Sequence, residues 1–195
     1  MFQQMLNASR AVLLRPSVAT FEEFEKDDLG WATIYVVIAA VISAIFAAIG
    51  AAVKQETGPG LGGIVIGTPV GVLIGFFIFL GIVFLLGRAF GGTGTFGQLS
   101  YDISLFYAPL LALGSLINII AIGPLAFLTG LIGLVISIYQ LYLTYLGIQS
   151  GMNLPRDKAL YVILIIFLIG LVLVACVAIV LGAFIAAMMN NTTSP

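Results

Sequence analysis

The sequence predicts an all-α polytopic membrane protein with five transmembrane helices, its N-terminus cytoplasmic and its C-terminus outside. Three observations carry that prediction. First, 62% of the 195 residues are hydrophobic and 8% are charged, against about 25% charged in an ordinary soluble domain. Second, the charges are confined to short segments between five uncharged runs, Trp31–Val53, Leu61–Gly87, Ile103–Ile122, Leu125–Ile148 and Ala159–Met189. Each run meets or exceeds the roughly 20 apolar residues that cross about 30 Å of hydrocarbon as a helix. Third, Arg10, Arg15, Lys26, Arg88, Arg156 and Lys158 fall on one side of these spans and Lys54 alone on the other. Basic residues near span ends stay cytoplasmic, which sets the orientation.

Residues 1–30 form a cytoplasmic amphipathic and acidic segment, 31–189 the five-helix domain, and 190–195 a short outer tail. Met1 to Phe24 has no basic start followed by an apolar core and small-residue cleavage site, so the N-terminus is expected to be retained. Phe2, Met5, Leu6, Val12 and Leu13 recur at near-helical spacing, which predicts an amphipathic helix at the membrane interface. Pro16 ends it. Thr20 followed by Glu23 has the form of a capping box and predicts a second short helix through Phe21 and Phe24 to Asp28. Glu22, Glu23, Glu25, Asp27 and Asp28 are set against only Lys26, so this stretch is repelled by anionic headgroups. Two uses fit it: a solvated helix face, or a docking patch for a basic protein partner in which Glu22, Glu23, Asp27 and Asp28 act with Phe96.

In the second span Gly63, Gly67, Gly71 and Gly75 repeat every fourth residue. In the first, Ala40, Ala44, Ala48 and Ala52 do the same. Small residues let helix backbones approach closely, so the expectation is a tightly packed antiparallel hairpin, the rival use being self-association of two protomers. Pro69 predicts a kink in the glycine-lined span. The second and last spans exceed the bilayer thickness and must tilt, bend or project beyond it.

Chemistry-bearing residues are few. Gly92-Thr93-Gly94-Thr95-Phe96-Gly97 matches the glycine pattern of a dinucleotide-binding turn, but that turn needs a strand before it and an acid about twenty residues on. Between two membrane spans it reads as a flexible cytoplasmic turn, with Phe96 free to dip into the interface. No ionisable side chain other than Cys176 and tyrosine lies inside a span, which disfavours proton-coupled and charge-binding transport. Asp102 stands at a cytoplasmic span end, within reach of Arg88 and suited to a helix start. Asn118 and Gln140 are the amides at depth. At about 1.5 Å per residue they sit roughly 8 Å outside and 6 Å inside their span midpoints, so each needs its own partner, as interhelical glue or as part of a solute site. Tyr139, Tyr142 and Tyr145 approach the cytoplasmic boundary, where an aromatic belt is expected.

There is no histidine, one cysteine and no intramembrane acid pair. Acid–base, zinc and nucleophile mechanisms therefore lack their parts, and Ser43, Ser115 and Ser137 have no base beside them in sequence. No enzyme activity, metal, cofactor or nucleic acid is expected. The lone Cys176 reads as an apolar packing residue. Asn190-Asn191-Thr192-Thr193 contains two overlapping glycosylation acceptor patterns.

Four groups of residues, in order, give the chain a family likeness: Arg15-Pro16 with Phe21 to Phe24, Phe90-Gly91-Gly92-Thr93-Gly94-Thr95-Phe96, Tyr107-Ala108-Pro109-Leu110, and Tyr145-Leu146-Gly147-Ile148 leading to Lys158-Ala159-Leu160. With them the chain resembles the Yip domain family, five-span proteins named for Ypt/Rab interaction, over most of its length. The resemblance implies a non-enzymatic membrane protein that binds partners. Its eukaryotic relatives associate with prenylated Rab GTPases, form hetero-oligomers and act in vesicle traffic. This chain has only Asp28-Leu29-Gly30 where those relatives carry Asp-Leu-Tyr-Gly-Pro, and it lacks their long polar N-terminal region. That departure implies a prokaryotic plasma-membrane protein. The expected partners are membrane lipids and membrane or cytoplasmic proteins, in homo- or hetero-oligomers; a transporter or channel for a small neutral solute, built on Asn118, Gln140 and the Pro69 and Pro109 interruptions, is the rival reading.

Overall fold

The computed structural model describes residues 2–55 and 60–192, with side chains described as far as Val180. Seven helices follow one another among the described residues: α1 (Phe2–Leu14), α2 (Val18–Phe24), α3 (Leu29–Lys54), α4 (Gly60–Ala89), α5 (Phe96–Ile119), α6 (Leu125–Gly151) and α7 (Arg156–Thr192). The last five are long and apolar enough to cross a membrane. The acceptor patterns at Asn190 to Thr193 lie outside the residues whose side chains are described.

Local chemistry fixes the helix ends. Ser17, in extended backbone (φ −155°, ψ 155°), accepts from the Thr20 amide and caps α2. The cap therefore stands three residues before the expected Thr20, whose hydroxyl donates instead to the Arg15 carbonyl at 2.8 Å. Helix α2 stops at Phe24, because Asp28 turns to cap α3 by accepting from the Trp31 amide at 3.0 Å. Helix α5 begins at Phe96, seven residues before the apolar run at Ile103. Thr95 and Gln98 close a reciprocal capping box there, satisfying two amides that a helix start leaves unpaired. Helices α4 and α5 run through Pro69 and Pro109 without interruption. At about 1.5 Å per residue the 37 residues of α7 make a rod longer than the hydrocarbon layer.

Helix α5 is the centre of the bundle, with α3 as its most extensive neighbour. The small face of α3 is turned to it: Ala40 and Ala44 are buried, the Ser115 hydroxyl donates to Ser43 at 2.9 Å, and a Cβ on Gly50 would touch the Ile119 backbone. The expected glycine–alanine zipper between α3 and α4 is thus not made. A Cβ on Gly67, Gly71 or Gly75 would meet nothing within 4 Å, and Gly63 is exposed. The α3 stripe, Ala48 at its half-buried edge, meets α5 at Ser115 and Ile119, and α4 is the second neighbour of α3.

Burial is concentrated at the end of the bundle where α4 ends and α5 begins. Phe76, Leu80, Leu99, Ile103, Phe106, Leu143 and Ile148 are fully buried there, whereas most of residues 60–71 of α4, most of residues 125–138 and α7 beyond Ile163 face outward. Cys176 is exposed and does not pack. Helices α1 and α2 complete the buried end, which we call the capped end. Helix α1 turns Met5, Ala8, Ser9 and Val12 inward and leaves Phe2 and Leu6 exposed; its small residues, not all of its large ones, make the fit. Ser9 and Tyr35 share a hydrogen bond at 2.9 Å, and the Tyr139 hydroxyl donates to the Leu13 carbonyl at 2.6 Å. Phe21 of α2 is 0% exposed and meets Phe106 edge to face at 6.2 Å. Burying such a ring is worth about 1.5–3 kcal/mol, a substantial anchor for a seven-residue helix.

Candidate functional site

Two regions gather polar residues, the capped end and a cleft in the opposite half of the bundle. The capped end is built on backbone contacts. Helix α4 closes with Gly91 at φ +89°, and the Gly92 and Gly91 amides donate to the Gly87 and Arg88 carbonyls at 2.8 and 2.9 Å, the paired bonds of a Schellman end. Helix α6 closes the same way: Asn153, at φ +52°, and Leu154 donate to the Ser150 and Gln149 carbonyls at 2.9 and 3.1 Å. The two ends then join, because the Thr93 and Gly94 amides both donate to the Met152 carbonyl, at 3.0 and 3.4 Å. Only glycine fits at Gly94, where a Cβ would collide with the Gly151 carbonyl. The glycine segment expected to be a flexible turn is therefore a packed joint, its first amides closing α4 and those of Thr93 and Gly94 bonded to the end of α6. Phe96 is not free either: it is half-buried and meets the Phe84 ring edge to face at 5.4 Å, with the Arg88 guanidinium 5.2 Å over the Phe84 ring centroid.

On this joint the acidic segment is held in place. Glu22, Glu23 and Asp27 are exposed. Asp27 leans on Gly97, its Oδ1 taking the space a Cβ would need, at the first turn of α5 where the helix dipole favours negative charge. Asp28 is half-buried and engaged as the α3 cap, so it is not part of the free acidic face. Glu25 is turned inward; burial above all, then the charges of Glu22 and Asp27, push its carboxyl above the usual range.

Asp102 differs most from expectation. It neither starts a helix nor pairs with Arg88, which reaches the Gly92 carbonyl at 3.4 Å. The early start of α5 carries it into the second turn, where it is 0% exposed against Ser150 and Gly151 of α6. Sequence reasoning missed this burial, as it missed Glu25 and Ser150. The signal was Gly147 and Gly151, one turn apart on α6: a Cβ on Gly151 would lie 2.8 Å from the Leu99 Cα and 3.3 Å from an Asp102 oxygen, so this is where α5 presses against α6.

The cleft lies in the half of the bundle away from the cap, among α3, α4, α5 and α6. Its volume is about 390 Å³, and Ser43, Thr68, Tyr107, Ser115, Asn118, Ser137 and Gln140 are among its lining residues. Asn118 and Gln140, set apart in height, thus line one space. Asn118 accepts from the Lys54 ammonium at 2.7 Å at the far mouth, and two neighbouring openings also border it. Ser43 and Ser115 bond each other, and among the described residues no group of three or more His, Cys, Asp or Glu gathers to hold a metal ion.

Five apolar spans, a central α5 and a cap of two short helices define a multi-pass helical membrane protein. The family model for the Yip1 domain matches residues 10–179, and the chain belongs to that family. No curated protein and no solved structure shows a significant match to it.

Proposed function

We propose that this Yip1-domain protein is a non-enzymatic membrane scaffold that recruits protein partners at its capped end, on the cytoplasmic side of a prokaryotic plasma membrane. One observation carries the reading: Glu22, Glu23 and Asp27 stand exposed on a segment fixed from both sides, by buried Phe21 and by the Asp28 cap. A charged surface that is already ordered loses little conformational entropy when a partner docks, and its complementarity to a basic partner steers association. Six of the seven basic residues lie on this side of the spans, which supports the orientation. The test is affinity capture from native membranes with wild type and a Glu22→Gln, Glu23→Gln, Asp27→Asn variant, Asp28 being left intact to keep α3 capped. The reading expects a partner held by wild type and released from the variant; partners held equally by both would refute it.

The cleft favours a second reading, a binding site for a small neutral solute, with Gln140 and Asn118 as hydrogen-bonding groups. Flux into liposomes that is present with wild type and lost on Gln140→Leu would support it, and absence of flux would count against it.

A further inference from the structure

The outer face of α1 bears a shallow cavity of about 320 Å³ lined by Asn7, Arg10, Ala11, Leu14 and Arg15. Arg10 and Arg15 are exposed, and among the described residues neither guanidinium has a hydrogen-bond, ionic or ring partner. No acid lines the cavity, so its two positive charges are uncompensated. The position of α1 says what they face. Tyrosine gathers at the boundary between hydrocarbon and headgroups, and two tyrosine hydroxyls hold this helix: Tyr35 shares a hydrogen bond with Ser9 at 2.9 Å, and Tyr139 donates to the Leu13 carbonyl at 2.6 Å. At about 100° per residue, Phe2, Leu6 and Leu13 fall within about 40° of one another on α1. Phe2 and Leu6 are exposed and Leu13 is half-buried, so this edge is apolar, and Arg10 stands beside it with Asn7 about 60° further round. The acidic segment meets the other edge of the helix: Lys26 donates to Gln4 at 3.4 Å, and Gln4 is about 160° from Leu6.

We propose that Asn7, Arg10 and Arg15 form a site for the phosphate of an anionic phospholipid in the leaflet at the capped end. A guanidinium is planar and presents paired N–H donors that match phosphate oxygens, and the Asn7 amide adds a further donor. The apolar edge of Phe2, Leu6 and Leu13 continues the site toward hydrocarbon, where the acyl chains of the same lipid lie. Helices that rest in the interface combine these two attractions, buried apolar area and basic residues drawn to anionic headgroups. A zwitterionic lipid would bring its own ammonium to a cavity that already holds two cations, whereas an anionic one does not, so net negative headgroups are selected. The helix is already fixed by its packed face, so binding orders little that was free. This inference goes beyond the recruitment reading and does not depend on it.

The experiment titrates the full chain, in a mild detergent, with phosphatidylglycerol or with phosphatidylcholine and counts bound lipid by native mass spectrometry; inorganic phosphate is then added as a competitor. Wild type is expected to hold phosphatidylglycerol saturably and in preference to phosphatidylcholine, and free phosphate should not displace it. Arg10→Gln and Arg15→Gln should each weaken phosphatidylglycerol binding by about fivefold, and together by about thirtyfold, the scale on which a basic side chain acts near an anionic surface. Both side chains are exposed, so the Tm of the double variant should match wild type; should that variant fail to fold, the two single variants carry the comparison. Arg156→Gln removes the same charge from another exposed position at this end and should leave binding unchanged. Equal binding of the two lipids overturns the proposal, as does a loss on Arg156→Gln as large as on Arg10→Gln, which would make the effect a diffuse field rather than this cavity. Displacement of the lipid by inorganic phosphate would assign the site to a free anion and overturn it as well.

Discussion

Replacing Gly94 by alanine tests the joint between the glycine segment and α6 most directly. The new methyl would collide with the Gly151 carbonyl oxygen and stand 2.7 Å from both the Gly151 carbonyl carbon and the Met152 Cα. The favourable separation of carbon atoms is about 3.5–4.0 Å, so the segment must retreat by roughly 1 Å. The obstacles are backbone atoms, which cannot swing aside. Retreat at Gly94 stretches its own bond to the Met152 carbonyl, now 3.4 Å, past hydrogen-bonding range. Overpacking costs about 1–3 kcal/mol and a lost amide bond about 1 kcal/mol. The sum, about 2–4 kcal/mol, is a large part of the 5–15 kcal/mol that typically separates folded from unfolded protein. In a chain of this length each kcal/mol moves Tm by about 2–4 °C, so a fall of about 5–15 °C is expected in detergent, read by fluorimetry and by loss of the monodisperse peak after heating. Gly71→Ala is the internal control: nothing lies within 4 Å of its Cβ, and alanine is the better helix former by up to about 1 kcal/mol, so Tm should hold or rise slightly. A Gly94→Ala protein that melts with wild type would refute the argument, and so would a Gly71→Ala protein that melts as early as Gly94→Ala.

Three further perturbations follow. Phe21→Ala removes the buried ring that anchors α2 and should cost about 3–5 kcal/mol, with limited proteolysis between Arg15 and Asp28 becoming fast; unchanged cleavage would mean the segment is held by something else. Asp28→Ala removes the α3 cap at a cost of about 1 kcal/mol, which Asp28→Ser should largely restore; thermal unfolding reads both. In a Cys176→Ser background, Gln140→Cys should react with a small water-soluble maleimide if the cleft it lines is wet, whereas Ile138→Cys, exposed on the outer face of the same helix, should react far more slowly in liposomes. Equal labelling of the two would remove the cleft as a distinct polar space.

The spans were legible because hydrocarbon thickness sets their length and charges mark their ends. What lay just outside them was less so. The first two turns of α5 hold Gln98, Ser100 and Asp102, so an apolar run alone starts the helix at Ile103. The capping pair Thr95 and Gln98 was present in the sequence but overlain by the glycine pattern. The small-residue stripes were visible, yet periodicity shows which residues share a face, not which helix that face meets. Ser43 and Ser115 bond α3 to α5, and nothing in sequence spacing ties residues 72 apart. Asp102 escaped because its burial comes from Gly151, on a different helix. The Yip1 family likeness was carried by short motifs, several of which are the joints of the capped end: Gly91 to Thr95, and Gly147 in contact range of Phe106 and Phe21.

Lipid is as apolar as the side chains it surrounds, so in a membrane helices are held by close packing and polar bonds rather than by exclusion of water. Those forces are unevenly placed here. The capped end has two interlocked Schellman ends, a capping box and glycine contacts, and α3 meets α5 through small residues and a serine pair. The far half of α4 and most of α7 have no comparable contacts among the described residues. Passage of a solute from the cleft would have to go through the capped end, where Phe21, Phe76, Phe106 and Leu143 are fully buried and the glycine segment is bonded to α6. Opening that path means breaking the best-packed part of the molecule. Recruitment asks for the reverse, a surface that stays as it is when a partner arrives, and the acidic face rests on the part of the fold least able to move.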